Sequence, residues 1–117
     1  AGMRNNDGSF GDSASYMYQI QAGTDLFNGN TTIACILTNG DFTCAQMNKI
    51  ASMARSGFSR AIRPVGTMAD GDSIYAISCG NVKADINAVG TAAAQVLSAA
   101  IKEAIMNSDT TLNTKSF

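Results

Sequence analysis

The chain has 117 residues, enough for one small folding unit with a single core and too few for two. Hydrophobic residues make up 45% and charged residues 15%, a composition that packs and that excludes a disordered chain. Lys+Arg 8 against Asp+Glu 9 gives a net charge of −1 with no basic stripe interleaved with aromatics, so no nucleic-acid partner is expected.

Along the chain, AGMRNNDGSF begins at Ala1 without an initiator Met and has no signal-peptide core, which leads us to expect a processed or truncated piece of a longer protein. No apolar run reaches the about 18 to 20 residues that cross a bilayer, so a soluble, cytoplasmic protein with no membrane partner is expected. Residues 1–30 are rich in Gly, Asn, Ser and Asp and read as an irregular arm, with a short strand or helical turn near Tyr16 to Ile20.

From Thr31 the signal sharpens. TTIACILT is a short apolar, β-branched run between NGN and NGD, the pattern of a strand buried on both faces. In FTCAQMNKIASMARSGFSRAI the apolar positions Met47, Ile50, Ala51, Ala54, Phe58 and Ile62 recur at helical spacing, and Thr43 with Gln46 forms a capping box. This predicts one amphipathic helix ending near Arg60 to Arg63, because Pro64 disfavours helical backbone before it. RPVGTMADGDS reads as a loop and IYAISCG as a second buried strand. DINAVGTAAAQVLSAAIKEAIMN predicts a long helix with Ile86, Val89, Ala93, Val96, Leu97, Ala100, Ile101, Ala104 and Ile105 on one face. Gly90, Thr91, Ala94 and Ser98 give it a second surface that admits close approach. Residues 31–107 thus form the structured portion and 108–117 a flexible tail.

Strand, helix, strand, helix after an arm is an α/β order, but two strands alone make a marginal sheet. Further strands are expected from another segment or another copy of the chain; a small complete two-layer domain is the alternative.

The chemistry available is narrow. There is no histidine, so neither a Ser-His-Asp nor a Cys-His nucleophile pair is possible within the chain. Cys35, Cys44 and Cys79 are odd in number and widely spaced, which predicts buried free thiols in a reducing compartment and no disulfide scaffold. No metal or other cofactor is expected. A threonine at Thr31 would need no histidine if it were N-terminal, because an α-amino group with a pKa of about 7.7 to 8.0 carries its own base. The same hydroxyl would create that terminus by attacking the Asn30 carbonyl. Composition alone equally allows Thr31 to open a strand for β-propensity reasons.

In Asp70-Gly71-Asp72 an extended backbone would put both carboxylates on one face, while Asp-Gly is also a common turn signal. Arg60 and Arg63 would suit a carboxylate or merely the helix C-terminus. Met47, Met53, Met68 and Met106 read as core filling.

Taken together, NTTIACILTNGDFTCAQMNKIASMARSGFSRAIRPVGTMADGDSIYAISCG resembles the nucleophile-bearing β subunit of the self-processing aminopeptidase and amidase family. That family includes D-aminopeptidase/esterases, β-peptidyl aminopeptidases and the nylon-oligomer (6-aminohexanoate oligomer) hydrolases. The segment AGMRNNDGSFGD is similar to the end of the family's α subunit, and SRAIRPVGTMADGDS lies closest to the nylon-oligomer hydrolase branch. The resemblance implies a four-layer αββα sandwich assembled from α and β pieces of one precursor, as a homo-oligomer, a tetramer of αβ units. It implies Thr31 as the catalytic nucleophile, exposed by autocleavage of Asn30-Thr31, with Asp70 and Asp72 as the acidic pair beside it. The implied substrates are short peptides, amino-acid amides or 6-aminohexanoate-type oligomers, cut through an acyl-enzyme. Further site residues of the family lie in the α segment upstream of Ala1 and are not assigned to Tyr16 or Tyr18. Where relatives often carry histidine, this chain has Gly66. The alternatives are a processing-dead homologue serving assembly or small-amine binding, and an acyltransferase in which an amine intercepts the acyl-enzyme.

Overall fold

A computed structural model of the protein describes residues 5–21, 31–68 and 70–108. The arm contributes a short helix, α1 (Ser13–Met17), whose N-cap Asp12 accepts hydrogen bonds from the Ala14 amide and the Ser15 hydroxyl. Those bonds, the Ser15 hydroxyl first, hold the Asp12 carboxyl below its usual pKa. The helical turn, rather than a strand, is the outcome here.

Strand β1 (Ile33–Gly40) leads into α2 (Cys44–Ala54), α3 (Ser56–Ala61), β2 (Ser73–Val82) and α4 (Ile86–Met106). β1 and β2 pair in parallel, Ile33 opposite Ser73 through Thr38 opposite Ser78, so the two helices between them form the crossover that parallel pairing demands. Past Thr38 the register shifts, and Gly40 pairs with Val82.

The capping box forms as expected. The Gln46 amide donates to the Thr43 hydroxyl, and the Thr43 amide donates to Gln46 Oε1 at 2.9 Å. Met47, Ile50 and Ala54 of α2 and Phe58 of α3 project into the core, joined by Ala93 and Leu97 of α4. Ala34 and Ile36 of β1 and Ile74 and Ala76 of β2 pack onto this cluster. The described part is thus a parallel strand pair with helices on one face.

Several expectations need correcting. The single helix predicted from Thr43 to about Arg63 is two, broken at Arg55, with Gly57 buried against α4 so closely that a Cβ would lie 2.5 Å from the Ala94 carbonyl oxygen. The strands are buried on one face only: burial along β1 alternates, and Ile33, Leu37 and Tyr75 are 70%, 68% and 61% exposed. Cys35, Cys44 and Cys79 are free but exposed, since the first and third lie on strand positions turned away from the helices. Met68 and Met106 are also exposed, Met53 is half-buried and Met47 is buried. On α4 the expected apolar face loses Val96, Ala100, Ala104 and Ile105 to solvent, while Gly90, Ala94 and Ser98 of the expected close-approach surface go inside. The small residues win because α2 and α3 approach there at backbone distance; a Cβ on Gly90 would meet Met53 Sδ at 2.5 Å. No helix among the described residues is long and apolar enough to cross a membrane.

Candidate active site

Thr31 lies two residues before β1, at the end of the sheet where the two strands begin. Asn30, the other half of the expected cleavage site, lies outside the described residues. The Ser73 amide donates to the Thr32 carbonyl at 2.9 Å, which zips the start of β2 to the residue after Thr31. On the other side of that residue, the Thr32 amide donates to Asp72 Oδ1 at 2.9 Å. Thr32 is therefore held at both of its backbone polar groups, and Thr31 projects from a fixed neighbour.

Asp70 and Asp72, two residues apart, are bonded in different ways. Asp70 Oδ2 accepts from the Thr67 amide at 2.7 Å and from the Thr67 hydroxyl at 2.9 Å, closing a local turn. Asp72 instead reaches across 40 residues of sequence to the Thr32 amide. Of the two carboxylates, Asp72 is bonded to the residue beside Thr31, and Asp70 is bonded to Thr67. Between them, Gly71 faces Thr31: a Cβ built on it would lie 2.9 Å from Thr31 Oγ1.

Asp72 also borders a shallow hollow with Ala51, Ser52, Arg55, Phe58 and Ile74. Arg55 sits at the break between α2 and α3, a place that periodicity does not reveal and that sets it apart from Arg60 and Arg63. Its guanidinium lies over Gly66, where a Cβ would be 3.1 Å from Nη2. Gly66 has φ +71°, the left-handed region that favours glycine. That is the local reason for glycine at this point of the loop.

The Peptidase family S58 profile matches residues 4–116, which is nearly the whole chain. The chain belongs to peptidase family S58. Relatives within reach of this family chain carry two kinds of name. An uncharacterized aminopeptidase of Mycobacterium tuberculosis is 32% identical over 106 residues, covering 76% of this chain and 31% of that protein. A 6-aminohexanoate-oligomer endohydrolase of Paenarthrobacter ureafaciens is 32% identical over 89 residues, covering 65% of this chain and 25% of that protein. An uncharacterized aminopeptidase of Mycobacterium leprae is 37% identical over 59 residues, half of this chain and 16% of that protein. The family chain therefore spans between 16% and 31% of the lengths of these relatives. No solved structure matches it.

Proposed function

We propose that this chain is the nucleophile-bearing part of an amidohydrolase or aminopeptidase that matures by cutting its own backbone at Asn30-Thr31. The observation that carries the reading is the convergence of Thr31, Gly71 and Asp72 at one end of the strand pair. Membership of a peptidase family, with relatives named aminopeptidase and 6-aminohexanoate-oligomer endohydrolase, supports the same chemistry.

Maturation begins when the Thr31 hydroxyl oxygen attacks the Asn30 carbonyl carbon. The C–N bond to Thr31 breaks as an ester C–O bond forms, and the nitrogen takes up a proton to become a free amine. Water then hydrolyses the ester, leaving a carboxylate on Asn30 and a hydroxyl and an amine on Thr31. In turnover the hydroxyl attacks the substrate amide, its proton passing to the Thr31 amine and on to the departing substrate amine. Water cleaves the acyl-threonine ester and releases the acid.

Neither acid is the base in this scheme. A carboxylate close to an ammonium stabilises the charged form and would raise its pKa. Asp72, bonded next to Thr31, fixes the strand that presents the nucleophile and steadies the charge that builds on its amine. Asp70 sets the loop and offers negative charge to the free ammonium of the substrate.

The exposed apolar face of β1 and β2 supports the αββα architecture: an upstream segment of the same precursor supplies the second sheet that covers Ile33, Leu37, Tyr75 and Ile77. Pairs so formed assemble into a tetramer of αβ units acting on short peptides, amino-acid amides or 6-aminohexanoate-type oligomers. The same open face also supports a second reading, an assembly module that never cuts itself. Thr31→Ala in the full-length polypeptide separates them. Loss of both backbone cleavage and amide hydrolysis supports the enzyme, and hydrolysis that survives the change rejects Thr31 as its nucleophile.

A further inference from the structure

We infer that Gly71 is a positioning residue whose missing side chain keeps clear the space from which the Thr31 hydroxyl makes its attack. The inference rests on the reading of Thr31 as the nucleophile. A β-carbon at position 71 would stand 2.9 Å from Thr31 Oγ1 and 3.6 Å from Thr31 Cγ2, inside the normal separation of a carbon and a hydroxyl oxygen. An attacking oxygen needs a carbonyl carbon at about 3 to 3.5 Å with its orbitals aligned, so an atom seated there either takes that position or turns the hydroxyl away from it.

The turn itself does not call for glycine. Among the described glycines only Gly8 and Gly66 have positive φ, so the backbone at Gly71 is one that alanine adopts. Nor can the loop readily step aside. Asp70 is tied to Thr67 on one side, and Asp72 and Ser73 are tied to Thr32 on the other. With the turn closed by Asp70 and the backbone after Gly71 held to Thr32, an added methyl group is accommodated by the Thr31 side chain. Gly71 therefore acts through Thr31, on self-cleavage and turnover alike.

The test uses the full-length polypeptide with Gly71→Ala, Thr31→Ser, the two combined, and Thr31→Ala. Cleavage rate, kcat, KM and melting temperature are read for each. Misplacing the hydroxyl by Gly71→Ala is expected to lower the cleavage rate and kcat by on the order of 10²-fold, with KM and melting temperature little changed. A serine hydroxyl, lacking the methyl group, turns into the space left free, so in the Thr31→Ser background the same glycine change is expected to cost under about 10-fold. A merely structural glycine would show no such rescue. Wild-type rates in Gly71→Ala, an equal penalty in both backgrounds, or a fall in melting temperature that Thr31→Ser does not restore each overturn the inference. If Thr31→Ala alone keeps hydrolysing, the nucleophile reading has failed instead, which separates the two failures.

Discussion

The carboxylate of Asp72 accepts a hydrogen bond of 2.9 Å from the amide of Thr32, across 40 residues of sequence. That bond joins the loop after the crossover to the residue next to Thr31, and it makes the fold and the candidate site parts of one arrangement. Replacing the acid in two ways separates its charge from its hydrogen bond. Asp72→Asn keeps an oxygen for the Thr32 amide and removes the charge; it is expected to lower kcat by on the order of 10²-fold while leaving the melting temperature nearly unchanged. Asp72→Ala leaves a half-buried amide without its acceptor and is expected to cost about 1 to 3 kcal/mol of stability as well. Chemical denaturation beside steady-state kinetics checks both, and equal stability losses would assign Asp72 to the turn alone.

Asp70 behaves differently because its carboxylate is spent on Thr67. Asp70→Asn retains an acceptor for the Thr67 amide, so folding survives. The expected effect is a raised KM for substrates with a free amino terminus and a smaller change in kcat than Asp72→Asn produces. Comparing a free-amine substrate with its N-acetylated counterpart reads this directly.

The bare face of the sheet gives a third expectation. Leu37 is 68% exposed on the side of β1 away from the helices. On the proposed architecture, Leu37→Lys is expected to leave the described fold intact but to block docking of a second sheet on this face, since burying an unpaired ammonium costs several kcal/mol. Size-exclusion chromatography of the full-length polypeptide would show loss of the assembled species; an unchanged elution position would show that this face stays open.

Core packing provides a fourth. Phe58 is fully buried between the helices and the sheet, at 1% exposure. Phe58→Ala is expected to destabilise the fold by about 3 to 5 kcal/mol, measurable by urea denaturation.

How much of this was legible in the sequence depends on the range of the interaction. The Thr43–Gln46 capping box and the Met47, Ile50, Ala54, Phe58 face are set within a few residues, and both are visible in the letters. The break at Arg55 is not, because it accompanies the seating of Gly57 on the Ala94 carbonyl in another helix. The small surface of Gly90, Ala94 and Ser98 is visible in the letters, whereas the exposure of Val96 is not. The resemblance singled out Thr31, Asp70 and Asp72 together; that Asp72 and not Asp70 is bonded beside Thr31 rests on the contact between Thr32 and Asp72, made only when β1 and β2 pair. Cys35 and Cys79 read as buried because their strands are apolar on both sides; the helices cover only one side.

The most direct test of the central claim, that a backbone cut turns Thr31 into a self-sufficient nucleophile, is the intact mass of the purified full-length polypeptide. The account predicts two fragments, one of them beginning at Thr31, and a single uncut chain for Thr31→Ala. A wild-type protein that hydrolyses amides while its mass remains that of the uncut chain would contradict it.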